Sequence, residues 1–93
     1  MAIQRFQNRR TARFFDGVFV RDFQGFERQA RYRLALLNEA DSLSQLADYS
    51  GNRLERLRGD RAGQYSIRIN RQWRICFRWG DAGPYDVEIV DYH

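Results

Sequence analysis

The last three residues of the sequence, Asp91-Tyr92-His93, place a carboxylate, a phenol and an imidazole in succession directly after a strand-like run. His93 is the sole histidine, and imidazole is the only side chain that titrates near neutrality without perturbation. Taken alone, a terminal histidine is a frayed tail residue. Here it emerges beside arginines, and that combination supplies the parts of RNA strand scission. A base draws the proton from a 2′-OH, cations stabilise the pentacovalent phosphorane, and an acid protonates the leaving 5′-oxygen. No P-loop, serine triad or metal-ligand spacing elsewhere in the chain competes for a catalytic role.

The cations are all of one kind. The 16 basic residues are arginine, with no lysine, and against 12 carboxylates they leave a net charge of +4 and a pI near 9.8. An arginine-biased genome accounts for most of that ratio, but the physical consequence holds regardless. Every cation is permanently charged and carries a planar fork of donors suited to phosphate, and no lysine exists to form a Schiff base. A basic pI leans toward nucleic acid, although binders of acidic proteins share it. The run Arg53-Leu54-Glu55-Arg56-Leu57-Arg58-Gly59-Asp60-Arg61 concentrates four arginines. It is either a solvated charge run or, with Leu54 and Leu57 anchored against a core, a rim of arginines presented beside a sheet.

Ninety-three residues suit one domain spanning residues 1–93, hiding roughly 60–65% of its extended-chain surface. Apolar residues at 43% and aromatics at 15% are too many for a disordered tail. No apolar stretch approaches the ~20 residues of a membrane span, and Met1-Ala2-Ile3-Gln4-Arg5 lacks the apolar segment of a secretion signal. A single cysteine, Cys76, forbids an intramolecular disulfide framework and a cysteine-based zinc cluster. The expected setting is a reducing cytoplasm, with no membrane partner.

The elements that must position the chemistry divide at mid-chain. Residues 2–6 suit a short first strand. Asn8 is placed to cap a helix through about Phe15, ended by Asp16-Gly17, and Asp22 to cap a longer one. Phe23, Phe26, Ala30, Leu34 and Leu37 then form one helical stripe, with Arg28, Arg31 and Glu39 away from it. Gly25 weakens its first turn by about 1 kcal/mol relative to alanine. Asp41 is the cap expected for a further short turn carrying Leu43, Leu46 and Ala47. After Tyr49-Ser50-Gly51-Asn52 the period changes to two. Tyr65, Ile67 and Ile69 alternate with polar residues, as do Trp73, Ile75, Phe77 and Trp79, and then Val87 and Ile89. Gly80-Asp81-Ala82-Gly83-Pro84 makes the last two strands a hairpin. The expected fold is α+β: an N-terminal strand and two helices, plus a short helical turn, packed on one face of a small, mostly antiparallel sheet.

Register decides what the other face carries. Pairing Trp79 with Tyr85 sets Arg78 against Asp86, Phe77 against Val87 and Ile75 against Ile89. A three-residue loop at Asn70-Arg71-Gln72 keeps Trp73 with the apolar set and pairs Ile67 with Ile75, where a two-residue loop throws it to the wrong face. Arg68 then faces Arg74 on the open side. Like charges so opposed need neutralising, either by Glu88 or Asp86 or by a bound anion, for which nucleic-acid phosphate fits best.

Across residues 51–93 the sequence resembles the HigB-like branch of the RelE/ParE toxin superfamily. The run Gly51-Asn52-Arg53-Leu54-Glu55, the segment Leu57-Arg58-Gly59-Asp60-Arg61, the stretch Gly63-Gln64-Tyr65-Ser66-Ile67-Arg68-Ile69-Asn70, the Gln72-Trp73-Arg74-Ile75-Cys76-Phe77 strand and the terminal Asp91-Tyr92-His93 carry the resemblance. In the first half only the helix lengths match. The resemblance implies a bacterial toxin that enters the ribosomal A site and cuts mRNA there without metal or cofactor, by 2′-OH attack on the adjacent phosphate. It implies a helix-turn-helix antitoxin as partner, with operator DNA bound only through that partner. By matched position it makes Asp91, Tyr92 and His93 the catalytic tail, with Arg58 and Arg74 as catalytic cations. Arg68 lies beside Arg74, and Arg53, Arg56, Arg61 and Arg78 complete the expected RNA-binding set. Some related toxins carry a histidine where this chain has Glu55, which is either a base or a structural residue here. The ParE branch of the same fold catalyses nothing and inhibits a topoisomerase; a regulatory nucleic-acid-binding subunit is a third possibility.

Overall fold

Asn8 opens the first helix by a local hydrogen bond. Its side-chain oxygen accepts from the Thr11 amide at 3.0 Å, pairing one of the donors a helix start leaves over, and α1 runs Arg9–Phe15. Asp16 ends it, followed by Gly17 at a φ of 98°, a conformation that suits a residue without Cβ. The computed structural model describes residues 1–92; His93 lies outside the described residues.

The apolar stripe from Phe23 onward is buried as its spacing requires, but it spans two elements. Arg21–Phe26 is a 3-10 helix, and α2 follows at Glu27–Glu39. Asp22 therefore lies in the first 3-10 turn and caps no α-helix. In a 3-10 turn residues three apart eclipse, which brings Phe23 and Phe26 to one side. Their rings, 5.8 Å apart, both meet Trp73 of the sheet, at 5.7 and 4.9 Å. Arg31, expected away from the stripe, lays its guanidinium 3.9 Å from the centre of the Phe14 ring and donates to the Phe14 carbonyl at 2.6 Å. The short α3, Leu43–Asp48, is capped one residue later than expected. Ser42, not Asp41, accepts from the Gln45 amide, at 3.0 Å.

Four strands follow: β1 (Glu55–Arg56), β2 (Tyr65–Arg68), β3 (Trp73–Gly80) and β4 (Gly83–Asp91). They form one antiparallel sheet in that order, making an α+β fold. The two-residue β1 was not evident from alternation, because both its side chains are charged and exposed. Ile67, Ile75, Phe77, Val87 and Ile89 are fully buried in one core with Phe14, Phe23, Ala30, Leu34, Leu37 and Leu46 from the helical half. Among the described residues no helix is long and apolar enough to cross a membrane.

The 70–72 turn has the predicted length. Asn70 Oδ1 accepts from both the Gln72 and Trp73 amides at 2.8 Å, and Ile67 pairs with Ile75 and Arg68 with Arg74. At the final hairpin the expected register holds only partway. Ile75 faces Ile89 and Cys76 faces Glu88, but the register then slips, so Arg78 faces Tyr85 and Trp79 faces Pro84. Asp86, at a φ of 51°, lies at this irregularity, and a bulge residue counted into one strand shifts everything beyond it by one. Arg78 Nε still lies 3.8 Å from Asp86, whose nearer partner is Arg5 at 2.6 Å.

Residues 2–6 do not form the expected strand. They make a single parallel bridge, Phe6 to Val87, because the Asn8 cap turns the chain into α1 before a ladder can extend. The segment still closes the outer edge of β4. The Gln4 and Gln7 amides donate to Pro84 and Val87, the Val87 amide donates to Arg5, and buried Thr11 Oγ1 accepts from the Ile89 amide at 3.2 Å. On the other side, fully buried Asn52 joins three elements ahead of the arginine run. Its Nδ2 donates to Leu46 at 2.9 Å, its Oδ1 accepts from Arg33 at 2.8 Å, and its carbonyl accepts from the Arg68 amide at 2.6 Å. Leu57 is buried and Leu54 packs against the core, so the arginine run is anchored.

Candidate functional site

Residues paired directly across antiparallel strands share a face. One row across the side away from the core reads Glu55, Ser66, Cys76, Glu88; the next reads Arg68, Arg74, Val90. The opposed arginines of the second row are held by neutral oxygens. Arg74 Nε donates to Ser66 Oγ at 2.7 Å, and its Nη2 donates to the Arg53 carbonyl at 2.7 Å and the Ser66 carbonyl at 3.4 Å. Arg53 sits at a φ of 45°, in the left-handed region. Arg68 Nε donates to the Asn70 carbonyl at 3.1 Å. The carboxylates expected to neutralise this pair are engaged elsewhere, Asp86 by Arg5 and Glu88 by Arg61.

Arg61 reaches the first row from the 3-10 turn Gly59–Arg61 that follows β1. Its Nη1 donates to Glu88 Oε1 at 2.9 Å and to Gln64 Oε1 at 3.0 Å. The hydrogen bond to Glu88 raises the Arg61 pKa further above its ordinary value. Cys76, the direct strand partner of Glu88, has no exposed surface. Burial pushes its thiol up to about 11 from an ordinary 9.0, outweighing the opposite pull of Arg61 and Arg74. The thiol is therefore protonated at neutral pH and no nucleophile.

That shift has a measurable consequence. An acid whose folded pKa is raised stabilises the fold fully below its unfolded pKa and loses that contribution as pH rises through the folded value. Denaturant titrations should show stability falling between about pH 9 and 11, and a Cys76→Ala variant should show a shallower fall. Equal slopes for the two proteins would rule Cys76 out as the cause.

Beside the Arg61–Glu88 pair is an open cleft of about 290 Å3 lined by Arg58, Asp60, Arg61, Val90, Asp91 and Tyr92. Arg58 is exposed at its mouth, immediately before the Gly59–Arg61 turn. The far wall is fixed by the 70–72 turn. The Tyr92 amide donates to the Gln72 carbonyl at 2.7 Å, and Gln72 Nε2 donates to Asp91 Oδ2 at 2.9 Å. Asp91 pairs with Trp73, so its register position belongs to the core-side row, and its carboxylate accepts from Gln72 at the strand end.

The structure thus gathers Arg58, Arg61, Asp91 and Tyr92 around one cleft. Arg74 adjoins it as the direct strand partner of Val90. Arg53, Arg56, Arg68, Arg78 and Glu55 do not line it. Arg53 and Arg56 are exposed, Arg68 is tied to the 70–72 turn, and Arg78 lies over Gly63, where an added Cβ would come within 2.7 Å of its Nη1. Glu55 is exposed at the β1 end of the first row. The His93 expectation lies outside the described residues. Asp60, Gln64, Gln72 and Glu88 belong to the site or its support without having been singled out for those roles. Strand parity places Glu88 on this face; the reach of Arg61 to it requires the path of the 57–64 loop, which alternation does not carry.

A guanidinium-lined cleft with a phenol on its wall can hold a phosphate and stack an unpaired base. Comparison with known proteins agrees in kind. The family model described as RelE-like toxin of type II toxin-antitoxin system HigB matches residues 4–93. Toxin HigB-1 of Vibrio cholerae serotype O1 is 43% identical over 49 residues, 53% of this chain and 52% of that protein. Endoribonuclease HigB of Proteus vulgaris is 33% identical over 61 residues, 66% of this chain and 65% of that protein. The chain thus spans between about half and two thirds of the length of these relatives. The fold of the YoeB-YefM complex from Staphylococcus aureus superposes with a TM-score of 0.63 at 17% identity, covering 100% of this chain and 99% of that one. Matched almost end to end by its family model, the chain belongs to the HigB-like toxins of type II toxin-antitoxin systems.

Proposed function

We propose that this toxin is a ribosome-dependent endoribonuclease that inhibits translation by cutting mRNA in the cytoplasm, and that a helix-turn-helix antitoxin restrains it. The cleft in which Arg58 and Arg61 meet Asp91 and Tyr92 carries the proposal. The name of the Proteus vulgaris relative, an endoribonuclease, supports it, as does the toxin-antitoxin family. In the proposed reaction the 2′-oxygen attacks the adjacent phosphorus and the bond to the 5′-oxygen breaks. The products are a 2′,3′-cyclic phosphate and a 5′-hydroxyl; one group takes the 2′-OH proton and another delivers a proton to the departing oxygen.

His93 serves as general acid or base, and Asp91 orients it or shares in proton transfer. Tyr92 stacks on a base beside the scissile linkage. Arg58 and Arg61 bind the phosphate from the cleft wall. Arg74, braced through Nε and Nη2, adds charge from the adjoining row. Arg53, Arg68 and Arg78 extend a cationic surface for the RNA backbone outside the cleft, with Glu55 at the edge of the same face, while Arg56 pairs with Tyr65 and its register position belongs to the core-side row.

The test is in vitro translation with mapping of mRNA ends, with and without ribosomes. The expected result is cuts that require ribosomes and leave 5′-hydroxyl ends, with binding that weakens steeply as salt rises. No cuts under either condition would overturn the nuclease reading in favour of a toxin that inhibits a protein target.

A further inference from the structure

We propose that Glu88 is a positioning residue of this site, one that acts on the bound phosphate only through Arg61. The proposal rests on the nuclease reading for its purpose, and on the geometry of the pair for its content. Glu88 is mostly buried, with 17% of its side chain exposed against 34% for Arg61. Each of its oxygens is used. Oε1 accepts from Arg61 Nη1 at 2.9 Å, and Oε2 accepts from Asn8 Nδ2 at 3.3 Å, at the start of α1. Gln64 Oε1 takes a second bond from the same Arg61 nitrogen at 3.0 Å. One edge of the guanidinium is thereby clamped while the residue lines the cleft.

An arginine at the end of a three-residue turn is otherwise mobile, and freezing such a side chain during substrate binding lowers affinity and slows chemistry. The clamp settles that orientation before RNA arrives. It also explains why a carboxylate lies on a face otherwise suited to anions: its charge is taken up by Arg61 and its position is fixed by Asn8.

The experiment is a double-mutant cycle read by single-turnover mRNA cleavage on purified ribosomes. Glu88→Ala should lower the rate constant about 100-fold, as losing one preorganised donor does, while changing the half-saturating toxin concentration much less. Glu88→Gln keeps an acceptor oxygen and should restore most of the rate. In an Arg61→Ala background, Glu88→Ala should cause no further loss. Wild-type rate in Glu88→Ala, no rescue by glutamine, or an equal loss in the Arg61→Ala background would each overturn the proposal.

A second measurement does not need activity. The Arg61 guanidinium N–H signals in 15N-edited spectra should be sharp in the wild type and in Glu88→Gln, and broadened by exchange in Glu88→Ala. Signals unchanged in Glu88→Ala would refute the clamp. A wild-type protein that cuts no mRNA yet shows the expected spectra would instead count against the nuclease reading alone.

Discussion

Replacing Tyr92 and His93 together by alanine should reduce single-turnover cleavage of ribosome-bound mRNA about 10³–10⁴-fold. Proton transfer by a placed side chain contributes 10²–10⁴, and loss of a base–aromatic stack weakens placement further. The fold should be indifferent to the change. Tyr92 is half-buried at the end of β4, and its anchor to the 70–72 turn is a main-chain bond from its amide to the Gln72 carbonyl, which alanine retains. Thermal melting should therefore stay within about 4 °C of wild type, since substitutions that leave the core and its main-chain bonds in place cost within about 0.5 kcal/mol. The single variants separate the two roles. Loss of the imidazole should flatten the pH dependence of the rate around neutrality, whereas loss of the phenol should leave that profile in place and lower its height. Full-rate cleavage by the double variant would remove the tail from the mechanism, leaving the arginines as RNA-binding groups only.

The largest effect on stability is expected at Phe23. Its ring is fully buried, stands edge-on to Phe14 at 5.1 Å and to Trp73 at 5.7 Å, and lies 5.8 Å from Phe26. It is therefore the point at which α1, the 3-10 segment and β3 touch. Phe23→Ala should destabilise by about 3–5 kcal/mol, the usual range for emptying a buried phenylalanine site. In a chain of this size, whose total stability is of order 5–15 kcal/mol, that lowers the melting temperature by roughly 15 °C or more. Urea titrations with an unchanged slope would verify that the loss is of stability and not of compactness. A loss below about 1.5 kcal/mol would mean that the neighbouring rings collapse into the space.

Periodicity conveyed the parts of this fold that repeat. The stripe from Phe23 to Leu37 survives in the burial pattern, as does the alternation around Val87 and Ile89, but Ser66 and Cys76 on the opposite face are as fully buried as Ile67, Ile75 and Phe77. What periodicity cannot count is a residue that breaks it. The slip near Asp86 moved Arg78 from Asp86 to Tyr85, and Gly25 hid a 3-10 turn inside an α-helical stripe. Two of the three expected caps were legible to within one residue, while Asp22 caps no α-helix because a 3-10 segment precedes α2. Asn8 holds its place, while Ser42, one residue closer to the free amides than Asp41, is the side chain that reaches the Gln45 amide.

For the site, the opposition of Arg68 and Arg74 followed from turn length alone, since the apolar set permits only one register. The neutral bracing of Arg74 by Ser66 and Arg53 did not follow, nor did the pairing of Arg61 with Glu88. Each depends on where an irregular loop crosses the sheet, and loops encode their path in local turn chemistry that leaves no period.

The bridge between Phe6 and Val87 ties one of the earliest segments to one of the last. Contacts so distant along the chain close late, and a polypeptide growing from a ribosome cannot make this one until β4 has cleared the exit tunnel. The cleft residues Val90, Asp91 and Tyr92 are translated later still. A fragment that stops short of β4 would thus lack both the closure along its edge and the Val90–Tyr92 side of the cleft.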